Sequence, residues 1–97
     1  MLSEEARGDL RDIEAWVADH DGEARAMAVV ERIENTMQNL AFMPGMGRWR
    51  DYLPASHRAF PAAPWTIVYT ALEDGDGILV QRILHARRDL SEIFENP

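Results

Sequence analysis

Apolar residues recur with helical spacing through the first part of the chain. Ala6, Leu10, Ile13 and Val17 fall four, three and four residues apart, with Trp16 beside them. That spacing sets one apolar helical face. Ser3 stands at the N-cap position, ahead of Glu4 and Glu5 in the positive first turn. Asp19-His20-Asp21-Gly22 breaks the pattern. A second helix is expected from about Glu23 to Ala41, with Ala26, Val30, Ile33, Met37 and Leu40 on its apolar face. So short a connection makes the two helices antiparallel neighbours.

Pro44 and Gly45 close the helical region, and residues 46–56 read as a loop. The period then changes. Arg58 to Ala62 is an expected strand, weakened by Pro61. Trp65 to Leu72 is rich in β-branched and aromatic residues, as strands are. Glu73 to Gly77 is a hairpin loop. Ile78 to His85 is apolar on both faces and is expected to be a central strand. Asp89 would cap a short last helix through Leu90, Ile93 and Phe94. Helices followed by strands give an α+β fold: an N-terminal antiparallel helical hairpin packed on a small antiparallel β-sheet, with a short C-terminal helix.

At 97 residues the chain is expected to form a single domain spanning 1–97, and its 46% hydrophobic content suits a folded core. There is no apolar run of about 18 residues, so no membrane span is expected. The start, Met-Leu-Ser-Glu-Glu, is acidic where a signal peptide would be basic, which points to the cytoplasm. Zero cysteines exclude disulfides, thiolate nucleophiles and Cys-based zinc sites. Net charge is −7, and all ten basic residues are Arg. Residues 1–45 hold ten Asp/Glu against four Arg, giving −6; residues 46–97 hold seven against six, giving −1. Gripping nucleic acid broadly needs a positive surface. Direct nucleic-acid binding is therefore not expected.

His20, His57 and His85 are scattered, Asp74-Gly75-Asp76 lacks the rest of a calcium loop, and no Gly-rich phosphate loop follows a strand. Neither a metal nor a cofactor is expected. Arg48 and Arg50 flank Trp49 in the loop. They form either a contact patch, Trp and Arg being enriched at interface hot spots, or a helix cap with Trp49 lying over the core. Arg87 and Arg88 belong either to a partner surface or to solvent. Met37, Met43 and Met46 read as core filler or as part of a partner groove. His85, at a strand end, is read as structural, bonding a nearby carbonyl or carboxylate, with Asp89 four residues on. Arg82 and His85 are three apart, so on a regular strand they point to opposite faces.

Five segments in order resemble the ParE branch of the ParE/RelE toxin superfamily. They are Ala6-Arg7-Gly8-Asp9-Leu10-Arg11-Asp12-Ile13, Pro44-Gly45-Met46-Gly47-Arg48, Arg58-Ala59-Phe60, Ile67-Val68-Tyr69, and Arg82-Ile83-Leu84-His85-Ala86-Arg87-Arg88-Asp89. The resemblance implies a toxin of a type II toxin–antitoxin pair. A ParE-like member would inhibit a protein target, DNA gyrase by family analogy, without a catalytic site. Its partner would be an antitoxin with a disordered tail that folds across the domain. The acidic helical half suggests a tail rich in Arg and Lys. A RelE-like member would instead be a ribosome-dependent mRNA interferase, here using Arg58, Arg82 and His85, with Tyr69 a further candidate. A third alternative is a degenerate, non-toxic binding module. The sequence departs from the family at its start, where only Met1 and Leu2 precede Ser3 in place of a first strand. That departure implies a bare sheet edge, and with it self-association or dependence on the antitoxin for solubility.

Overall fold

The computed structural model describes residues 1–88, 93 and 94. The chain runs α1 (Glu4–Asp21), α2 (Glu23–Phe42), a 3₁₀ turn (Pro44–Met46), β1 (His57–Ala62), β2 (Trp65–Ala71) and β3 (Ile78–His85). Ser3 caps α1: its hydroxyl oxygen accepts from the Ala6 N–H at 3.0 Å. Gly22 alone separates the helices. At φ 90°, in the region that favours glycine, it ends α1 through its N–H to Ala18 O (3.0 Å). Its own carbonyl then accepts from Ala26 N–H (3.1 Å) in the first turn of α2. One residue of special conformation thus folds the hairpin.

The strands form an antiparallel sheet in the order β1-β2-β3. β2, not the expected β3, is the middle strand. Both faces of β2 are buried, by different layers. Trp65, Ile67 and Tyr69 join Ile78, Val80 and Ile83 of β3 against Ala6, Ile13, Val17, Ala26, Val29, Ile33 and Leu40 of the helices. Val68 and Leu84 belong to a second cluster, under Leu53, Tyr52, Ala59, Ile93 and Phe94. The segment read from sequence as a plain loop therefore helps cover the sheet face away from the helices. The expected C-terminal helix lies mostly outside the described residues.

Three sequence expectations need correction. On α2 it is Val29, not Val30, that is buried, while Met37 is half-buried against the core. On α1, Leu10 is only half-buried; Trp16, beside that face as expected, is exposed and stacks on His20 with ring centroids 4.0 Å apart. The sheet edges are not bare. Along β3, Val80 N–H donates to Met1 O and Ser3 N–H to Val80 O, both at 2.9 Å, so Leu2 pairs with Val80 in parallel. The Ser3 hydroxyl adds a bond to Gln81 O at 2.8 Å. Along β1, Arg48 and Ala59 exchange both backbone bonds at 2.8 and 2.9 Å, and Pro61 has no N–H to offer. Met1–Ser3 do the work of a first strand on the edge of β3, which removes the physical ground for edge-driven self-association.

A bulge shifts the β2–β3 register between Val68 and Tyr69: Val68 faces Arg82 and Tyr69 faces Val80, leaving Gln81 as the extra residue. This bulge lets Ile78, Val80 and Ile83 all reach the helix-side core although their numbers change parity. It falls before Arg82, not between Arg82 and His85. No helix among the described residues is long and apolar enough to cross a membrane.

Candidate functional site

Tyr69, fully buried on β2, fastens the turn that follows α2. Its hydroxyl donates to Pro44 O at 2.6 Å and accepts from Gly47 N–H at 2.8 Å. Burial pushes the phenol above its ordinary 10, so it remains a neutral donor at any working pH. Gly47 is required by close approach, because a Cβ there would run into the Tyr69 hydroxyl and ring. From β1, the Arg58 guanidinium donates to Gly47 O at 2.8 Å. The double backbone pairing of Arg48 with Ala59 fixes the next residue. Leu53, buried under the sheet, donates its N–H to Arg50 O at 2.9 Å. Both ends of residues 48–50 are thereby pinned, and the side chains of Arg48, Trp49 and Arg50 are exposed.

Arg82 is committed elsewhere. Its Nε donates to Asp9 Oδ2 at 2.8 Å and its Nη2 to Asp9 Oδ1 at 3.0 Å. The same Oδ2 accepts from Ile83 N–H at 2.9 Å. The hydrogen bond to Asp9 raises the guanidinium above its already high ordinary value. Asp9 therefore ties α1 to β3 beyond the bulge and satisfies a backbone donor on that edge.

His85 ends β3 exposed, and its Nδ1 accepts from Arg87 N–H at 3.2 Å. In the neutral ring that bond leaves the proton on Nε2. Among the described residues the ring's hydrogen bond is to a backbone donor and not to a carbonyl; the expected Asp89 lies outside the described residues. Arg58 pairs with Tyr69 and His85 with Trp65, four positions along β2 or about 13 Å at the rise of a strand. Arg58, Arg82 and His85 are not brought together, and two of the three have their guanidinium groups engaged by Gly47 O and Asp9. Tyr69, the fourth residue considered for RNA chemistry, is sealed in the core.

The other sequence candidates separate into three places. Arg48, Trp49 and Arg50 share the pinned loop. Arg87 and Arg88 are exposed on the turn after β3, and Met37 rests against the core. Sequence reasoning missed a cleft of about 620 Å³ between the two helices and the far end of the sheet. Asp12, Trp16, Arg25, Arg32, Trp65, His85 and Arg88 are among its lining residues. Arg32 also bonds Ala63 O across its mouth at 2.6 Å. Its one signal in the sequence is Trp16, a large apolar residue just off the predicted helical face. Among the described residues, no group of three or more His, Asp or Glu is placed to hold a metal ion.

Three comparisons bear on this arrangement. The family model described as ParE toxin of type II toxin-antitoxin system, parDE, matches residues 1–90. Toxin ParE3 of Caulobacter vibrioides (strain ATCC 19089 / CIP 103742 / CB 15) is 32% identical over 84 residues, covering 87% of this chain and 82% of that protein. The solved structure of a chromosomal ParDE TA system from P. aeruginosa matches with a TM-score of 0.71 at 20% identity, covering 87% of this chain and 90% of that one. The last likeness is one of fold: two helices and a three-stranded antiparallel sheet. With the sequence matches beside it, the chain belongs to the ParE toxin family of type II toxin–antitoxin systems.

Proposed function

We propose that this chain arrests growth by binding a protein target, DNA gyrase by family analogy, and not by cutting RNA. One observation supports the reading most: the residues that would form a ribonuclease site are dispersed, with Arg82 consumed by Asp9. Cleaving RNA needs a base, an acid and cations gathered around one phosphate. A binder needs only a surface. The acidic balance of the chain fits the same reading, since broad contact with nucleic acid favours net positive charge.

A cognate antitoxin holds the toxin inactive in the cytoplasm. Its tail folds across the cleft between the helices and the sheet, with apolar anchors against Trp16 and Trp65. The exposed carboxylates of the helical hairpin favour a tail rich in Arg and Lys, whose affinity falls as salt rises. The test is a supercoiling assay with purified gyrase, toxin and antitoxin. Inhibition by the toxin, relieved by the antitoxin, is expected. Unimpaired supercoiling at concentrations that stop growth would reject gyrase as the target.

A further inference from the structure

One exposed loop carries charge opposite in sign to that of the whole chain. Residues 48–50 place two exposed arginines around Trp49, which leaves 52% of its surface to solvent, on a chain of net charge −7. Among the described residues neither arginine has a carboxylate partner. The backbone beneath them is held by Ala59, by Leu53, and by Gly47 locked between Tyr69 and Arg58. A fixed backbone has little further backbone entropy to lose on binding, which leaves only the side chains to be ordered. Arg and Trp are also the residue types in which interface energy concentrates. No residue of this loop lines the cleft.

We infer that the Arg48–Trp49–Arg50 loop is the surface by which this chain docks on its protein target, and that it takes an acidic segment carrying an apolar anchor. The inference rests on the reading of the chain as a protein-binding toxin and adds where it binds and what it binds. Charge complementarity selects the occupant: the arginines pair with carboxylates while the indole covers an apolar side chain. A nucleic acid fits poorly, because two arginines neutralise few phosphates and the exposed carboxylates of α1 and α2 repel the rest. Since loop and cleft share no residue, docking on the target and capture by the antitoxin use separate surfaces.

The experiment compares the full-length chain with R48E/R50E, W49A, R48K/R50K and the control R7E/R11E, which makes the same charge change on the exposed side of α1. Each is induced without antitoxin and scored for growth. Each is also purified from its antitoxin complex and measured for thermal melting and for binding to gyrase. R48E/R50E and W49A should lose growth arrest and bind gyrase at least ~10-fold more weakly. They should still capture the antitoxin and melt as the parent does. R48K/R50K should retain most activity, and R7E/R11E all of it. Loop variants that arrest growth and bind gyrase like the parent overturn the inference and leave the proposed function standing. Loss of activity equal in R7E/R11E also overturns it, as does a loop that binds DNA or RNA in place of protein. A parent chain that neither arrests growth nor binds gyrase overturns the proposed function and this inference with it.

Discussion

Asp9 and Arg82, 73 residues apart in sequence, meet in a two-pronged ion pair that bridges α1 and β3. Asp9 also accepts the Ile83 N–H, so one carboxylate fixes a guanidinium and closes part of a sheet edge. Replacing Asp9 by Ala should cost about 2–3 kcal/mol, because it strands a backbone donor and leaves a partly buried charge unpaired. Urea denaturation measures it; a loss under about 0.5 kcal/mol would place the pair among ordinary surface ion pairs.

Tyr69→Phe removes the hydroxyl that serves both Pro44 O and Gly47 N–H. A loss of about 1–3 kcal/mol is expected, with faster amide hydrogen exchange at Gly47 than in the parent. Unchanged exchange there would show that Arg58 and the Arg48–Ala59 pairing hold the turn unaided. Gly47→Ala acts on the same contact from the other side, forcing a methyl against the phenol at a cost of about 1–3 kcal/mol.

Ile33 is fully buried beneath the sheet, whereas Leu10 is half-buried. Ile33→Ala should therefore cost about 2–5 kcal/mol, and Leu10→Ala clearly less. The two midpoints in denaturant decide it; equal losses would contradict the position given to α1.

How much of this could be read from the chain depends on the range of the interaction involved. The helices, Gly22 as their break and the extent of β3 follow from local period and turn chemistry. The buried position on α2 moved from Val30 to Val29 because the sheet, not the helix, sets which part of the apolar stripe faces inward. The bulge at Gln81 depends on pairings 11 and 14 residues apart, and the reach of Arg82 to Asp9 on one of 73, which no local pattern encodes. Arg48, Trp49 and Arg50 could be named as a patch from composition. That their loop is rigid required knowing where the Tyr69 hydroxyl points. The closed edges were not legible either, since a pairing as short as that of Met1–Ser3 has no periodicity to detect.

His57 gives stability a pH dependence of definite sign. Burial lowers its imidazole below the ordinary 6.5, beside Ser56 and the Phe94 ring. The unfolded chain therefore takes the proton first, so stability present above pH 6.5 is lost as pH falls through the lowered folded value. His57→Gln should flatten the His57 share of that decline as pH falls below the ordinary 6.5. Parallel stability curves for parent and variant would show that His57 is not its source.

The division between a binder and a nuclease is settled most directly in cells. Wild type and His85→Ala are induced without antitoxin, and transcript ends are mapped at the onset of arrest. Both chains should stop growth with a DNA-damage response and intact transcripts, because His85, at the end of β3, is not gathered with Arg58, and the Arg82 guanidinium is held by Asp9. Transcripts cut by the wild type and spared by His85→Ala would contradict the account and make that strand end an active site.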